Sequence, residues 1–109
     1  MNYAQRKANF HEIDVSKLTD SILQELINNN ITLRHSGGRL YAINPTKSQL
    51  ELLARRELLK GVAVIYDKKL DSYRVLPKPA AILCQLAGTC KIIRTFKNSS
   101  EALRYLKKL

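Results

Sequence analysis

Tyr41, Tyr66 and Tyr73 are interleaved with Arg34, Arg39, Lys68, Lys69 and Arg74. Cations beside aromatic rings can do two things. They neutralise phosphates or carboxylates, and the rings offer flat faces on which bases stack. Two more basic groups stand at the ends of leucine-rich stretches. Arg55 and Arg56 close one, and Arg104, Lys107 and Lys108 close the other. Arg34, Arg39, Tyr41, Arg74 and the lysines and arginines of these groups are the candidate binding residues. The hairpin tyrosines can equally be half-buried sheet residues.

Residues able to break or make covalent bonds are scarce. His11 and His35 are the 2 histidines, and their spacing suggests no metal site. Cys84 and Cys90 have nothing beside them to complete four zinc ligands. Ser36 follows His35, but neighbours on a strand face opposite ways and cannot act as nucleophile and base. Gly37-Gly38 lies inside a hairpin and not between a strand and a helix, so it is no phosphate-cradling loop. The pattern reads as a protein without catalysis, metal or cofactor.

Charge narrows the partners. The 109 residues carry 19 Lys and Arg against 9 Asp and Glu, a formal net of +10. Residues 1–30 hold Arg6, Lys7 and Lys17 against Glu12, Asp14, Asp20 and Glu25, a net of −1. Residues 31–109 therefore hold the remaining 16 basic and 5 acidic residues, a net of +11. Such a field attracts anions over a Debye length of roughly 8–10 Å. Nucleic acid, DNA or RNA, is one partner class, and an acidic protein segment is the other. A bilayer is not, since no apolar run approaches the roughly 18 residues a span needs. Arg6 and Lys7 have no apolar stretch behind them, so no secretory signal is expected. Two cysteines are too few for a disulfide scaffold and fit a reducing, cytoplasmic setting.

The elements that must position these residues form a repeated unit. Residues 31–43 read as strand, Ser36-Gly37-Gly38 turn and strand, followed by Pro45 and a helix from Thr46. Residues 63–75 repeat this 32 positions later around Asp67–Asp71, followed by Pro77 and a second helical stretch. Tyr41 then aligns with Tyr73, Leu33 with Ile65 and Leu50 with Ile82. Ahead of the repeat, Val15, Leu18, Ile22 and Leu26 recur at helical spacing, with Asp14 or Ser16 as the cap. Thr46 and Gln49 fit a capping box before the Leu50, Leu53, Ala54, Leu58 stripe. Residues 90–96 alternate Ile92 and Arg94 against Ile93 and Thr95, as in a fifth strand. Asn98 opens a terminal helix whose apolar side is Leu103, Leu106 and Leu109.

The expected fold is α+β. Two β-hairpins and a fifth strand form a mostly antiparallel sheet with helices packed on one face; two separate small sheets are the alternative. Residues 1–14 are expected to be a loose arm. Residues 15–109 are one domain containing the repeat, 31–60 and 63–88.

One stretch resembles a known family. Ile22-Leu23-Gln24-Glu25-Leu26, Asn30-Ile31-Thr32-Leu33-Arg34, Gly37-Gly38-Arg39-Leu40-Tyr41, Pro45 and the helix from Leu50 are similar to TubC-type N-terminal docking domains of nonribosomal peptide synthetases. The match covers residues 16–60. It implies the order helix, hairpin, helix, helix, and a hairpin that receives a short acidic segment by strand addition. Arg34, Arg39 and Tyr41 would then make the contact. The chain departs from that pattern with a second hairpin where the closing helix is expected. Three functions follow: a nucleic-acid binder, a docking module or small inhibitor, and a subunit whose charge an assembly neutralises.

Overall fold

Residues 9–109 are described in a computed structural model. Extended residues beside Asn9 open it. Phe10–Glu12 form strand β1, and Asp14 caps a single 3-10 turn over Val15–Lys17. Helix α1 spans Asp20–Asn28, with the Thr19 hydroxyl accepting from the Ile22 amide. It ends where Asn30 takes a left-handed φ of 59°, which Asn tolerates better than most residues. Hairpin strands β2, Leu33–Ser36, and β3, Arg39–Ile43, meet at Gly37-Gly38, both with positive φ as a two-residue turn requires. Helix α2, Lys47–Arg55, starts on a complete Thr46/Gln49 capping box.

The second half runs β4, Val62–Asp67; β5, Ser72–Pro77; α3, Lys78–Leu86; β6, Cys90–Phe96; and α4, Ser99–Leu106. The Asn98 side chain caps α4 by accepting from the Glu101 amide.

Six strands form two three-stranded antiparallel sheets, ordered β1-β3-β2 and β5-β4-β6. The expected single five-stranded sheet is thus corrected in two ways. Each hairpin keeps its own sheet, and each gains a third strand from outside the repeat. The expectation of a loose 1–14 arm is corrected too. Phe10, His11 and Glu12 pair with Ile43, Ala42 and Tyr41, and Ile13 is 1% exposed. β1 is too short to show alternation, and only its partner makes it a strand. The rest of that arm, residues 1–8, lies outside the described residues.

The repeat persists in the register. Arg34 faces Tyr41, and 32 positions on Tyr66 faces Tyr73. Burial does not repeat. Ala42 is fully buried while its counterpart Arg74 is exposed. The third strand joins β3 in one sheet and β4 in the other, so different members become central.

Leu26, Ile31, Ala42, Leu53, Ala54, Leu58 and Ile82 share one core, with Leu83 and Leu86 of α3 against it. Ala63, Ile65, Ala81 and Cys90 form a second, and Ile92 touches both. Helices on one face describe only part of this. α3 covers the Ala63/Ile65 face of β4, and α4 lies on the opposite face, where Phe96 meets Tyr105. That explains why Ala63, Val64 and Ile65 are all fully buried in succession.

Two stripes also shift. Val15 and Ile27 are more than half exposed, so α1 packs through Leu18, Ile22 and Leu26 and starts at Thr19, not Asp14 or Ser16. In α4 the buried residue is Ala102, while Leu103 and Leu109 are about half exposed. After α2 the chain goes straight into β4, where the docking-domain pattern has a helix. No helix of the described residues is long and apolar enough to cross a membrane.

Candidate functional site

The site grows from an irregularity in β6. Cys90, Lys91 and Ile92 pair with Asp67, Tyr66 and Ile65. The register then slips: Arg94 pairs with Val64, Thr95 with Ala63 and Phe96 with Val62. Ile93 is therefore an extra residue, a β-bulge. One inserted residue moves every later side chain to the other face. Ile92 stays inside against α3, whereas Arg94 and Phe96 swing to the α4 side. The expected pairing of Ile92 with Arg94 on one face is thereby overturned. Arg94 lies 5.4 Å from the ring centroids of both Phe96 and Tyr105, and those rings are 5.4 Å apart. A guanidinium held on two aromatic faces keeps its plane fixed and its edge N–H groups free for an anion.

Around this triad the two sheets meet in a groove of about 600 Å³. β1 lends Phe10 and Glu12, and β3 lends Arg39 and Tyr41. Lys60, Gly61 and Lys78 line the floor, and Arg94, Phe96, Lys97 and Glu101 the far wall. A second hollow of about 470 Å³ shares Arg94, Phe96 and Glu101 and adds Arg104, Tyr105 and Lys108. The two form one trough with seven cations against the carboxylates of Glu12 and Glu101. Glu12 stands 3.9 Å from Arg39 and 3.5 Å from Lys60. Among the described residues Lys78, Arg94, Lys97, Arg104 and Lys108 have no carboxylate within 4.0 Å, and residues 1–8 contain none.

Burial tunes two groups here. The Lys78 ammonium is held below its ordinary pKa by burial, partly offset by Glu12. His11, on the inner side of β1, is lowered to about 4 by burial and then by the Lys78 charge. Its buried Nδ1 has no hydrogen-bond partner. A neutral His11 keeps a further positive charge off Lys78. The floor is closed by Gly61, with φ +111°; a Cβ there would meet the Phe96 carbonyl oxygen at 2.9 Å.

Of the residues expected from sequence, the trough gathers Arg39, Tyr41, Arg104 and Lys108. Arg55 and Arg56 lie elsewhere and are ion-paired with Glu51 and Glu25 at 2.8 and 2.7 Å. Arg74 reaches Asp67 at 3.1 Å. Lys68 and Lys69 sit in the β4–β5 turn, where the Asp67 carboxylate accepts from the Lys69 and Leu70 amides. Arg34 is on the outward face of the edge strand β2, opposite Tyr41. Lys107 is exposed beyond the end of α4 and outside the trough. Tyr66 and Tyr73 pack edge to face at 5.5 Å, and the Tyr66 hydroxyl donates to Asp71. Sequence reasoning missed Lys60, Lys78, Arg94 and Lys97, and the rings of Phe10, Phe96 and Tyr105. The i, i+2 spacing of Arg94 and Phe96 was the available signal.

Cys84 and Cys90 are both free thiols. Burial, with a hydrogen bond from Cys84, pushes the Cys90 thiol up to about 12. Among the described residues no three His, Cys, Asp or Glu side chains are grouped so as to hold a metal ion.

The chain finds no match among family models, among curated proteins or among solved structures.

Proposed function

We propose that this chain is a non-catalytic, basic binding protein that holds nucleic acid along the trough between its two sheets. The observation that carries this is the convergence of seven cations from β3, β6, α3, α4 and two linkers on one concave surface that also presents aromatic rings. Gathering like charges costs folding energy, so an arrangement in which five lack a carboxylate is best explained by an anionic occupant. Two free thiols fit a cytoplasmic setting.

Replacing Arg94, Arg104 and Lys108 together by Gln tests it in a gel-shift titration. Nucleic-acid affinity should fall by roughly 1–3 kcal/mol or more, for one to three lost charge-assisted contacts. Changing Lys68 and Lys69 to Gln, outside the trough, should matter much less. Equal losses from the two sets would refute the trough as the binding surface.

A second reading rests on one feature. β2 is a sheet edge, and it carries Arg34 on the face that holds Arg39 and Tyr41. An acidic segment could add there as a strand, as the docking-domain resemblance implies. Under that reading Arg34→Gln with Arg39→Gln abolishes capture of a protein partner, and the Arg94/Arg104/Lys108 variant leaves it intact.

A further inference from the structure

We propose that the nucleic acid held by the trough is single-stranded, with a base stacked on Phe10. This rests on the nucleic-acid reading above and narrows it. Three observations favour a single strand over a duplex. First, the cations line a hollow of about 600 Å³, not a crest. That volume lies in the range of small-ligand sites. It admits a splayed nucleotide, while a duplex is convex and takes a protruding helix or ribbon into its groove. Second, Phe10 is 51% exposed at the rim of this basic wall, edge-on to Tyr41 with ring centroids 6.2 Å apart. A large apolar face left open among cations suits the flat, apolar face of a base. Third, Arg94 is fixed over Phe96 and Tyr105, so its edge points a planar donor fork at a backbone phosphate while the base lies on Phe10. The alternation of rings and cations matches the two components of a single strand, which a duplex hides by stacking its bases inside.

The chain contains no tryptophan, so Phe10→Trp places a unique fluorophore at the proposed stacking position. Titrate it with single-stranded DNA and RNA oligonucleotides of about 12 nucleotides, a duplex of the same length, and inorganic polyphosphate. Single strands should quench the emission saturably, and DNA against RNA identifies the natural sugar. Duplex and polyphosphate should bind more weakly without that quench. In the parent background, Phe10→Ala and Phe10→Leu should each weaken single-strand binding by roughly 5- to 150-fold. The slope of affinity against salt should stay unchanged, because no phosphate contact is lost. Phe10→Leu keeps an apolar side chain at the site, so a loss of binding there is not a loss of fold. Duplex binding as tight as single-strand binding, or full affinity in Phe10→Leu, overturns the single-strand proposal and leaves the nucleic-acid reading standing. No binding to any nucleic acid overturns both.

Discussion

Gly61 and His11 show how single residues hold the trough in place. Gly61 combines a left-handed φ with the close approach of the Phe96 carbonyl. Gly61→Ala meets both obstacles, so a loss of about 2–4 kcal/mol is expected, read as a lower urea midpoint. A change below about 0.5 kcal/mol would show that the strand ends can part at no cost. His11 makes a prediction about pH. Its pKa is near 6.5 unfolded and about 4 folded. Above the higher value both states are neutral, and His11 leaves stability unchanged. As pH falls from 6.5 towards 4, the unfolded chain takes a proton that the folded chain refuses, and stability drops. Below about 4 the loss levels off. The ring is partly exposed, so the loss is on the order of 1–2 kcal/mol after solvent screening. Thermal melts across that window should fall more steeply for the parent than for His11→Met. Parallel curves would mean that His11 titrates normally. Cys90, held protonated by burial, should react with iodoacetamide far more slowly than an exposed thiol at neutral pH.

Elements decide where these residues end up. α2 and α3 pack the two sheets into one body, through Leu53, Ala54, Ile82, Leu83 and Leu86. Leu53 is fully buried there. Leu53→Ala should cost about 2–5 kcal/mol, a large part of the stability of so small a domain. A cost under about 1 kcal/mol would mean that the site collapses around the smaller side chain. The bulge at Ile93 makes a contrasting prediction. Deleting Ile93 leaves the ladder partners of Arg94, Thr95 and Phe96 unchanged and straightens the strand, so it should cost less than Leu53→Ala. Deleting Thr95 instead drives Phe96 onto the inner face and should unfold the second sheet. Both are read from chemical denaturation. α2 was legible in detail because a capping box and a four-residue stripe are local signals. α4 was legible in extent and wrong in phase, since Ala102, the residue it buries, is too small to stand out beside Leu103.

For the whole molecule, charge sets the scale of binding. With six phosphates neutralised, the logarithm of affinity should fall with the logarithm of salt at a slope of about −4 on single strands and about −5 on duplex. A flat response between low and moderate salt would count against a phosphate-tracking trough. The Arg94/Arg104/Lys108 variant should reduce the slope by about two units. It should leave the melting temperature nearly unchanged, because these groups have no carboxylate partner to lose.

Local chemistry in the chain was enough for the α+β class, both hairpins and their shared 32-residue register, the caps at Thr46 and Asn98, and the basic excess after residue 30. Each rests on neighbours within a few positions, or on composition, which folding cannot change. The trough was not legible, because its walls lie far apart in sequence: Phe10 and Glu12, Arg39 and Tyr41, Lys60 and Lys78, Arg94 to Lys108. Three tertiary events brought them together. β1 became a strand only by pairing with β3, the bulge at Ile93 turned Arg94 and Phe96 outward, and α4 closed over them. Pairing also sorted the cations. Arg55, Arg56 and Arg74 acquired carboxylate partners, two of them more than five residues away in sequence. Periodicity reports which residues share a face within one element. Which faces meet, and which charges are left without a partner, depends on packing between elements, and that was decided only when the chain folded.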